Sequence, residues 1–443
     1  MIATAPARPA ATPTPGLPGR PESREGLRVL TAYVVILFVF PAPMLIAALG
    51  QVGGPATLAA VGCFMWWSWT LVNRAVPEPV DAGRVVRIAA LVFLLVCVIA
   101  YAHSAATPYP ADERSLLDAA LIRMVGCIGL VCLAADGLRD AEQVWTLVTR
   151  LVYVLGAVCA IALVQSFTGE VWVDRISLPG LTPASGIEIA QRGIITRPAG
   201  TASHPIELAS VLAVGMPLAF AVAGRPGARA WLRRLIAVLV AITLLLIGSR
   251  TAIVCGTVGF VAMLFAWNGR TRLIAVGASL LVLCVAFVML PGFLGTLAGM
   301  FLGAGSDPSV ASRTDSYRIV EEFWSHHLWI GRGVGTFLPK YWILDNEYLI
   351  LLIGAGVLGL AALLGLILTA VAVAARAAAL ARRAGDDSTR QLCVAALGGT
   401  LAGAVSMALF DGFSFPQAAG MFFLCLGICG ALPRAVASRM ASR

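Results

Sequence analysis

Apolar stretches close to the length that a helix needs to cross a bilayer, about 20 residues, recur along the chain from residue 28 to residue 433. Short polar segments separate most of them. The pattern predicts about twelve transmembrane helices, at 28–50, 52–73, 84–102, 115–135, 144–167, 204–224, 233–248, 251–268, 273–291, 346–373, 391–410 and 414–433. The expected fold class is therefore an all-α polytopic membrane protein.

Composition excludes two other classes of protein. Of the 443 residues, 59% are hydrophobic and 12% are charged, against about 25% charged in soluble globular proteins. A soluble globular protein is excluded, and so is disorder over most of the length, because disorder needs low hydrophobicity and high charge. The ten cysteines lie in apolar stretches, so they are predicted to be small buried residues and not disulfide partners or metal ligands.

The net charge of +9 predicts an orientation. No basic patch interleaved with aromatic residues occurs, so no nucleic-acid partner is expected. With the N-terminus inside, 22 of the 32 cations fall on the cytoplasmic side, which carries +13 against −4 elsewhere. Positive charge accumulates on cytoplasmic segments, so both termini are predicted to be cytoplasmic. Residues 1–27 are then a disordered tail, 28–433 the membrane domain and 434–443 a second tail.

Two predicted extracytoplasmic loops, 168–203 and 292–345, are too long to be simple connections. Within the second, Ser312 to His327 has helical periodicity: Tyr317, Val320, Phe323 and Trp324 fall on one face, and Ser312 is a suitable N-cap. This predicts a helix lying on the membrane surface. Neither loop has the pattern of an independent domain.

Polar residues cluster where the first loop re-enters the membrane, in the segment from Arg197 to Glu207. Ser203 followed by His204-Pro205 is a helix-start signal, so part of the segment is explained by capping alone. Arg197 has no acidic partner nearby in sequence, and its place at the membrane edge suits a phosphate.

A second candidate is Ser249-Arg250, which interrupts an apolar run from Leu235 to Trp267. A continuous helix of that length would overshoot the bilayer, so we predict two helices joined by a tight outer turn. Arg250 then either extends to lipid headgroups or faces a water-filled cavity, and the second interpretation is favoured.

The long second loop contains Arg313, Arg318 and several acids, many of them at the spacing of ordinary helix ion pairs on a solvated face. Its segment from Gly331 to Gly335 is predicted to be a turn, because no strand and helix flank it as a dinucleotide fold requires. Adjacent His326 and His327 do not complete a metal site, and no metal is expected.

Asp345-Asn346-Glu347-Tyr348 stands at the start of the tenth predicted helix. Asp345 can be a helix cap, yet a cap does not explain two carboxylates, an amide and a phenol together. Such groups bind sugar hydroxyls or accept their protons. Arginines suited to phosphate and a carboxylate at one depth suit the cleavage of a lipid-linked diphosphate sugar.

These motifs and their order resemble those of the O-antigen ligase and O-antigen polymerase superfamily of bacterial inner-membrane glycosyltransferases. The resemblance covers roughly residues 190 to 410 and rests on Arg197–Glu207, Ser249-Arg250, Ser312-Arg313, Trp329–Gly335, Asp345–Leu349 and Gly356–Gly359. The chain departs from the family pattern at two positions. Asp345 stands where the family commonly has His, and Gly354 lies near the place where it commonly has Glu.

The resemblance implies a GT-C-like fold of about twelve helices with a helical loop over a cavity. It also implies an undecaprenyl-diphosphate-linked glycan as donor, with no cofactor and no required metal. The implied diphosphate-binding residues are Arg197, Arg250 and Arg313, with His204 beside them; Asp345 is the implied base or orienting group. Asn346, Glu347, Tyr348 and Arg318 are then expected to bind the sugar or acceptor, or to support the helix end.

The acceptor is open at this point. It is a glycan on lipid for a polymerase, and a lipid or protein anchor for a ligase. The alternative class is a transporter or flippase of the same lipid-linked glycans. Transporters often contain paired, broken helices in two related halves, and no internal repeat of this kind occurs in the sequence.

Overall fold

The computed structural model describes residues 24–73, 83–192, 195–289 and 308–441. These residues form thirteen α-helices joined by short 3-10 helices and strands. The α-helices are Glu25–Val39 (α1), Pro55–Val72 (α2), Arg84–Ala105 (α3), Ala111–Gly137 (α4), Ala141–Thr168 (α5), Pro205–Ala223 (α6), Ala230–Leu246 (α7), Arg250–Ala266 (α8), Gly269–Met289 (α9), Pro308–Trp324 (α10), Glu347–Arg383 (α11), Asp387–Met407 (α12) and Pro416–Ala441 (α13).

Seven of these helices are long and apolar enough to cross a membrane, namely α2, α3, α4, α5, α6, α11 and α13. The predicted fold class, an all-α polytopic membrane protein, is therefore confirmed. Each of the twelve predicted stretches overlaps an α-helix, and α10 is the additional one. The count of twelve spans stays a prediction, because the other described helices are shorter or less apolar than these seven.

Several predicted boundaries are wrong. The first helix ends at Val39 and not at residue 50, because Pro41 and Pro43 follow, and the residue before a proline avoids the helical conformation. Helix α10 begins at Pro308, so Ser312 lies within it and is not its cap; its place on the membrane surface stays a prediction. Tyr317 is exposed on α10, whereas Val320 is buried. Helix α13 continues to Ala441, and the assignment of 434–443 to a cytoplasmic tail stays a prediction. Of the predicted tail 1–27, residues 25–27 belong to α1, and 1–23 lie outside the described residues.

Two strand pairs, which the sequence did not predict, fold the first long loop. Strand β1 (Met44–Leu45) pairs with β2 (Thr182–Pro183), and β3 (Ala190–Arg192) pairs with β4 (Ile195–Arg197), both antiparallel. The first pair ties the loop to the segment between α1 and α2. The second pair holds Arg197, the last residue of β4, at the end of the helix bundle that carries the long loops.

The bundle has two unlike ends. One end, here called the long-loop end, carries the segments 169–204 and 325–346 between helices. At the other, the short-loop end, α5 follows α4 after three residues and α12 follows α11 after three. Helices α6 and α13 lie at the centre: 83% and 89% of the residues in their most apolar stretches are buried. Nine of the ten cysteines are buried as predicted, and Cys284 is exposed.

Helix α11 is interrupted at Gly356, whose φ of 65° is left-handed. The segment 328–333 fills the break. Arg332 and Gly333 donate their N–H groups to the carbonyls of Ile353 and Gly354, at 2.9 and 2.8 Å. On the other side, the N–H groups of residues 357 and 358 donate to the carbonyls of residues 328 and 329, at 2.9 and 3.2 Å. The backbone groups freed by the break are therefore satisfied by the loop, as an apolar environment demands.

The approach of the loop to α11 depends on glycine. Gly331 has a φ of 77°, and a Cβ at this position would lie 2.4 Å from the backbone carbon of Gly354. A contact this short with backbone atoms cannot be relieved by a side-chain rotation. The glycine-rich segment is a turn, as predicted, and its glycines permit the docking into α11.

A buried ion pair fastens the same segment to α4. The Arg332 Nη2 atom lies 2.6 Å from Oε2 of Glu113, whose side chain is 1% exposed. Tyr341 donates its hydroxyl to the other oxygen of Glu113, and Lys340 lies 3.5 Å from it. One buried carboxylate thus receives three groups from the loop.

We expect Glu113→Gln to lower the free energy of unfolding by about 3 kcal/mol, because removing one partner of a buried pair leaves Arg332 as an uncompensated charge. Unfolding in detergent, followed by heat or denaturant, measures the effect. The matched control is Glu321→Gln on the exposed face of α10, which should leave stability unchanged. If Glu113→Gln were as stable as Glu321→Gln, the Glu113–Arg332 ion pair would not be what holds the loop.

Candidate active site

The first part of the candidate site is the turn between α7 and α8. Helix α7 ends at Leu246, Gly248 has a φ of 58°, and α8 begins at Arg250. The predicted break in the long apolar run is therefore confirmed. Arg197 donates from Nε to the carbonyl of Ile247 at 2.8 Å. This hydrogen bond brings Arg197 to the turn that carries Arg250, although 53 positions separate them in the sequence.

His204 interacts electrostatically with Arg197 and is the N-cap of α6. Its Nδ1 atom accepts the N–H of Ile206 at 3.1 Å. The cap is therefore His204, whereas the sequence pattern suggested Ser203. Its Nε2 atom lies 3.5 Å from Glu188. Burial lowers the pKa of His204, with Glu188 raising it, Arg197 lowering it and Asp345 raising it. Burial, the largest effect, outweighs the two carboxylates and favours the uncharged imidazole.

Asp345 approaches from the second long loop. The cap of α11 is Asn346, whose side-chain oxygen accepts the N–H groups of Tyr348 and Leu349 at 3.0 and 3.3 Å. Because Asn346 caps the helix, Asp345 has no capping role and its side chain is exposed. It is therefore available to a substrate.

A second carboxylate, Asp411, stands in the turn between α12 and α13 and is absent from the sequence-based candidates. Burial raises its pKa to about 6; hydrogen bonds from its own N–H and from Ser414 oppose the rise, and Asp345 adds to it. The two aspartates are therefore electrostatic neighbours. The signal in the sequence was a lone acid in the last polar turn between two apolar stretches.

The raised pKa of Asp411 leads us to expect that the stability of the protein depends on pH. An aspartate whose pKa is about 6 in the folded protein and about 3.9 in the unfolded chain destabilises the fold above pH 6, and this cost disappears below pH 4. We expect Asp411→Asn to raise the free energy of unfolding at pH 8 by at most about 3 kcal/mol. The gain should vanish near pH 4, which unfolding curves of both proteins at the two pH values measure. A gain independent of pH would contradict this account.

The turn that carries Asp411 is held from one side by Glu207, in the first turn of α6. Glu207 is fully buried, and its two carboxylate oxygens accept the N–H groups of Gln417 and Ser203, each at 2.8 Å. One acid therefore joins the start of α13 to the segment that carries His204.

Glu347 holds the turn from the other side. Its carboxylate accepts the N–H of Phe413 at 2.8 Å, and its own N–H donates to the carbonyl of Phe410 at 3.2 Å. Glu207 and Glu347 together fix the turn 410–417 between α6 and α11. This arrangement sets Asp411 between the helix starts that carry His204 and Asp345.

The remaining predicted residues have structural contacts or lie apart. Tyr348 donates its hydroxyl to the carbonyl of Ala404 at 2.8 Å, so Asn346, Glu347 and Tyr348 all support the helix end. Arg318 is exposed on α10. Arg313 belongs to α10, and its side chain lies outside the described residues.

Arg123 on α4 is a further charged residue of this region. It stands inside a predicted transmembrane stretch, where charge is costly and usually functional. It lies in the electrostatic range of Glu347 and lines a narrow cleft with Tyr33, Thr57 and Phe413. The described part of the chain contains no group of three or more His, Cys, Asp or Glu side chains that could hold a metal ion.

Two comparisons with known proteins bear on this site. Residues 235–364 match the family model described as O-antigen ligase. No curated protein matches the chain. The matched segment contains Arg250, Arg313 and Asp345, and leaves Arg197, His204 and Asp411 outside it. Over this segment the chain is similar to the O-antigen ligase family, in agreement with the resemblance of its motifs.

Proposed function

We propose that this protein is a membrane glycosyltransferase. It transfers a glycan from an undecaprenyl diphosphate donor to an acceptor hydroxyl on the outer side of the bacterial plasma membrane. The observation that carries the proposal is the meeting of Arg197 with the Arg250 turn, at the end of the bundle that also holds His204, Asp345 and Asp411. Diphosphate-binding cations and a carboxylate base are the groups that this reaction needs.

The arginines bind the donor in this mechanism. A guanidinium group presents a planar fork that matches phosphate oxygens, and Arg197 and Arg250 approach one turn from different elements. Arg313 on α10 is the third proposed ligand. These cations stabilise the charge that builds on the departing diphosphate, so the reaction needs no divalent metal.

Asp345 receives the proton of the acceptor hydroxyl. The hydroxyl oxygen attacks C1 of the sugar opposite the diphosphate, the new C1–O bond forms, and the old bond leaves its electron pair on the diphosphate. Attack from the opposite face inverts the configuration at C1. Asp411 stands beside Asp345 as a second carboxylate, and the Nε2 atom of His204 offers a hydrogen bond to the substrate.

The charge distribution supports the orientation. The short-loop end carries 22 of the 32 cations if all twelve predicted stretches cross the membrane, and such ends face the cytoplasm. Both termini then lie inside, and the site faces the periplasm or exterior.

One feature favours the alternative of a lipid-linked glycan transporter, because interrupted helices such as α11 are frequent in transporters. In transporters the broken ends bind substrate or ions. Here the backbone groups at the break form hydrogen bonds with the loop 328–333, so they do not bind a substrate or an ion.

The test is incubation of the purified protein in lipid nanodiscs with a lipid-linked oligosaccharide, followed by analysis of the glycans. Longer chains on the lipid identify a polymerase, and transfer to an added second acceptor identifies a ligase. An unchanged donor that crosses the bilayer in proteoliposomes overturns the proposal in favour of transport.

A further inference from the structure

A cavity of about 410 Å³ opens at the short-loop end, far from the candidate active site. It lies between the start of α1 and the first turns of α5. Its lining includes Arg24, Leu27, Arg28, Asp140, Glu142 and Arg150. The volume falls in the range of small-molecule sites, about 300 to 1,000 Å³.

Three arginines direct positive charge into this cavity. Arg24 and Arg28 are four positions apart and so share one face of α1, and both are exposed. Arg150 reaches across from α5 and donates to the Thr31 hydroxyl at 2.8 Å. Among the residues that the structure describes, neither Arg24 nor Arg28 forms an ion pair.

The two acids of the lining do not neutralise these arginines. Asp140 caps α5, with its carboxylate accepting the N–H of Gln143 at 2.8 Å. Glu142 turns to other cations: it lies 3.6 Å from Arg225 and pairs with Arg439 of α13. The arginines therefore keep their charge for a ligand.

Backbone electrostatics act in the same direction. Both α1 and α5 begin at the cavity, and the N-terminal end of a helix carries partial positive charge. No side chain caps α1. The uncapped start of α1 and three guanidinium groups thus surround one space, while Asp140 caps the start of α5.

We propose that this cavity binds a phosphate-bearing anion, the headgroup of an anionic phospholipid. The lining runs from Asp140 to Arg150 along α5, a rise of about 15 Å, which exceeds the headgroup layer of one leaflet, about 5 to 8 Å. Leu27 supplies apolar surface beside the charges. Basic pockets between transmembrane helices are known to bind lipid headgroups.

The test measures lipid binding to the purified full-length protein by native mass spectrometry. Phosphatidylglycerol should bind at least about tenfold more tightly than phosphatidylcholine. The triple variant Arg24→Gln, Arg28→Gln and Arg150→Gln should lose that preference. The matched control Arg229→Gln, Arg234→Gln and Arg383→Gln removes three exposed arginines of the same end that do not line the cavity, and it should keep the preference.

Equal loss in both triple variants overturns the proposal, since it would assign the preference to the net charge of this end. Competition by millimolar inorganic phosphate would support the anion site and identify free phosphate as a second source of the ligand. A photoactivatable phosphatidylglycerol, applied to the unmodified protein, provides a readout that does not depend on folding of a variant. Its crosslinks should map to α1 and α5, and crosslinks confined to other helices overturn the site.

Discussion

Arg250→Ala is expected to lower the rate of glycan transfer by about 100- to 1,000-fold, the usual effect of removing one group that stabilises charge in a transition state. Arg250 opens α8 at the turn that also binds Arg197. Without it, one of the cations proposed to face the departing diphosphate is missing. The measurement is the initial rate with a lipid-linked donor in nanodiscs, beside the yield of folded, monodisperse protein.

Two further variants sharpen this test. Arg250→Lys keeps the charge but loses the planar fork, so it should recover only part of the activity. Arg234→Ala, at the opposite end of α7, removes an exposed arginine and should keep full activity. Full retained activity of both Arg250→Ala and Arg313→Ala would remove the diphosphate assignment.

Asp345→Asn is expected to lower the transfer rate by about 100- to 10,000-fold, the range associated with the loss of a general base. The amide has the shape of the carboxylate but cannot accept the proton of the acceptor hydroxyl. Because Asn346 and not Asp345 caps α11, the substitution should leave stability unchanged. Steady-state rates at saturating donor and thermal unfolding of the same preparation check both expectations.

Asp345→His provides the sharpest comparison, because the resemblance leads one to expect histidine at this position. Histidine accepts a proton near neutral pH, so this variant should retain much of the activity that Asp345→Asn loses. Activity retained in Asp345→Asn would show that Asp345 is not the base. Asp411 and His204 would then be the candidates to test.

The sequence predicted the elements that depend on local signals. Helix α6 was expected at 204–224 and lies at Pro205–Ala223, since His204-Pro205 and Gly224 mark its two ends. The break before Arg250 followed from length alone, because one helix could not contain the whole apolar run. The first helix is shorter than its apolar run, because Pro41 and Pro43 end it at Val39 although the residues around them are apolar.

The sequence could not predict the contacts that assemble the site. Glu207 accepts a hydrogen bond from a residue 210 positions away, and Glu347 from one 66 positions away. A carboxylate in the first turn of a helix is ordinarily stabilised by the helix itself, so neither position signals a partner so distant. Asp411 was overlooked for the same reason, since its importance comes from the two helices that hold its turn.

The interruption of α11 has a mechanical consequence for Asp345. The first half of the helix, 347–355, is joined to the loop by the hydrogen bonds at Ile353 and Gly354, and the Ile353 side chain packs with Val320 and Leu344. Its covalent continuation beyond Gly356 is a left-handed joint. The loop also accepts hydrogen bonds from residues 357 and 358, so it clamps both sides of the break. The loop and the two halves of α11 therefore form one body, and the place of Asp345 is fixed relative to the long second half of the helix.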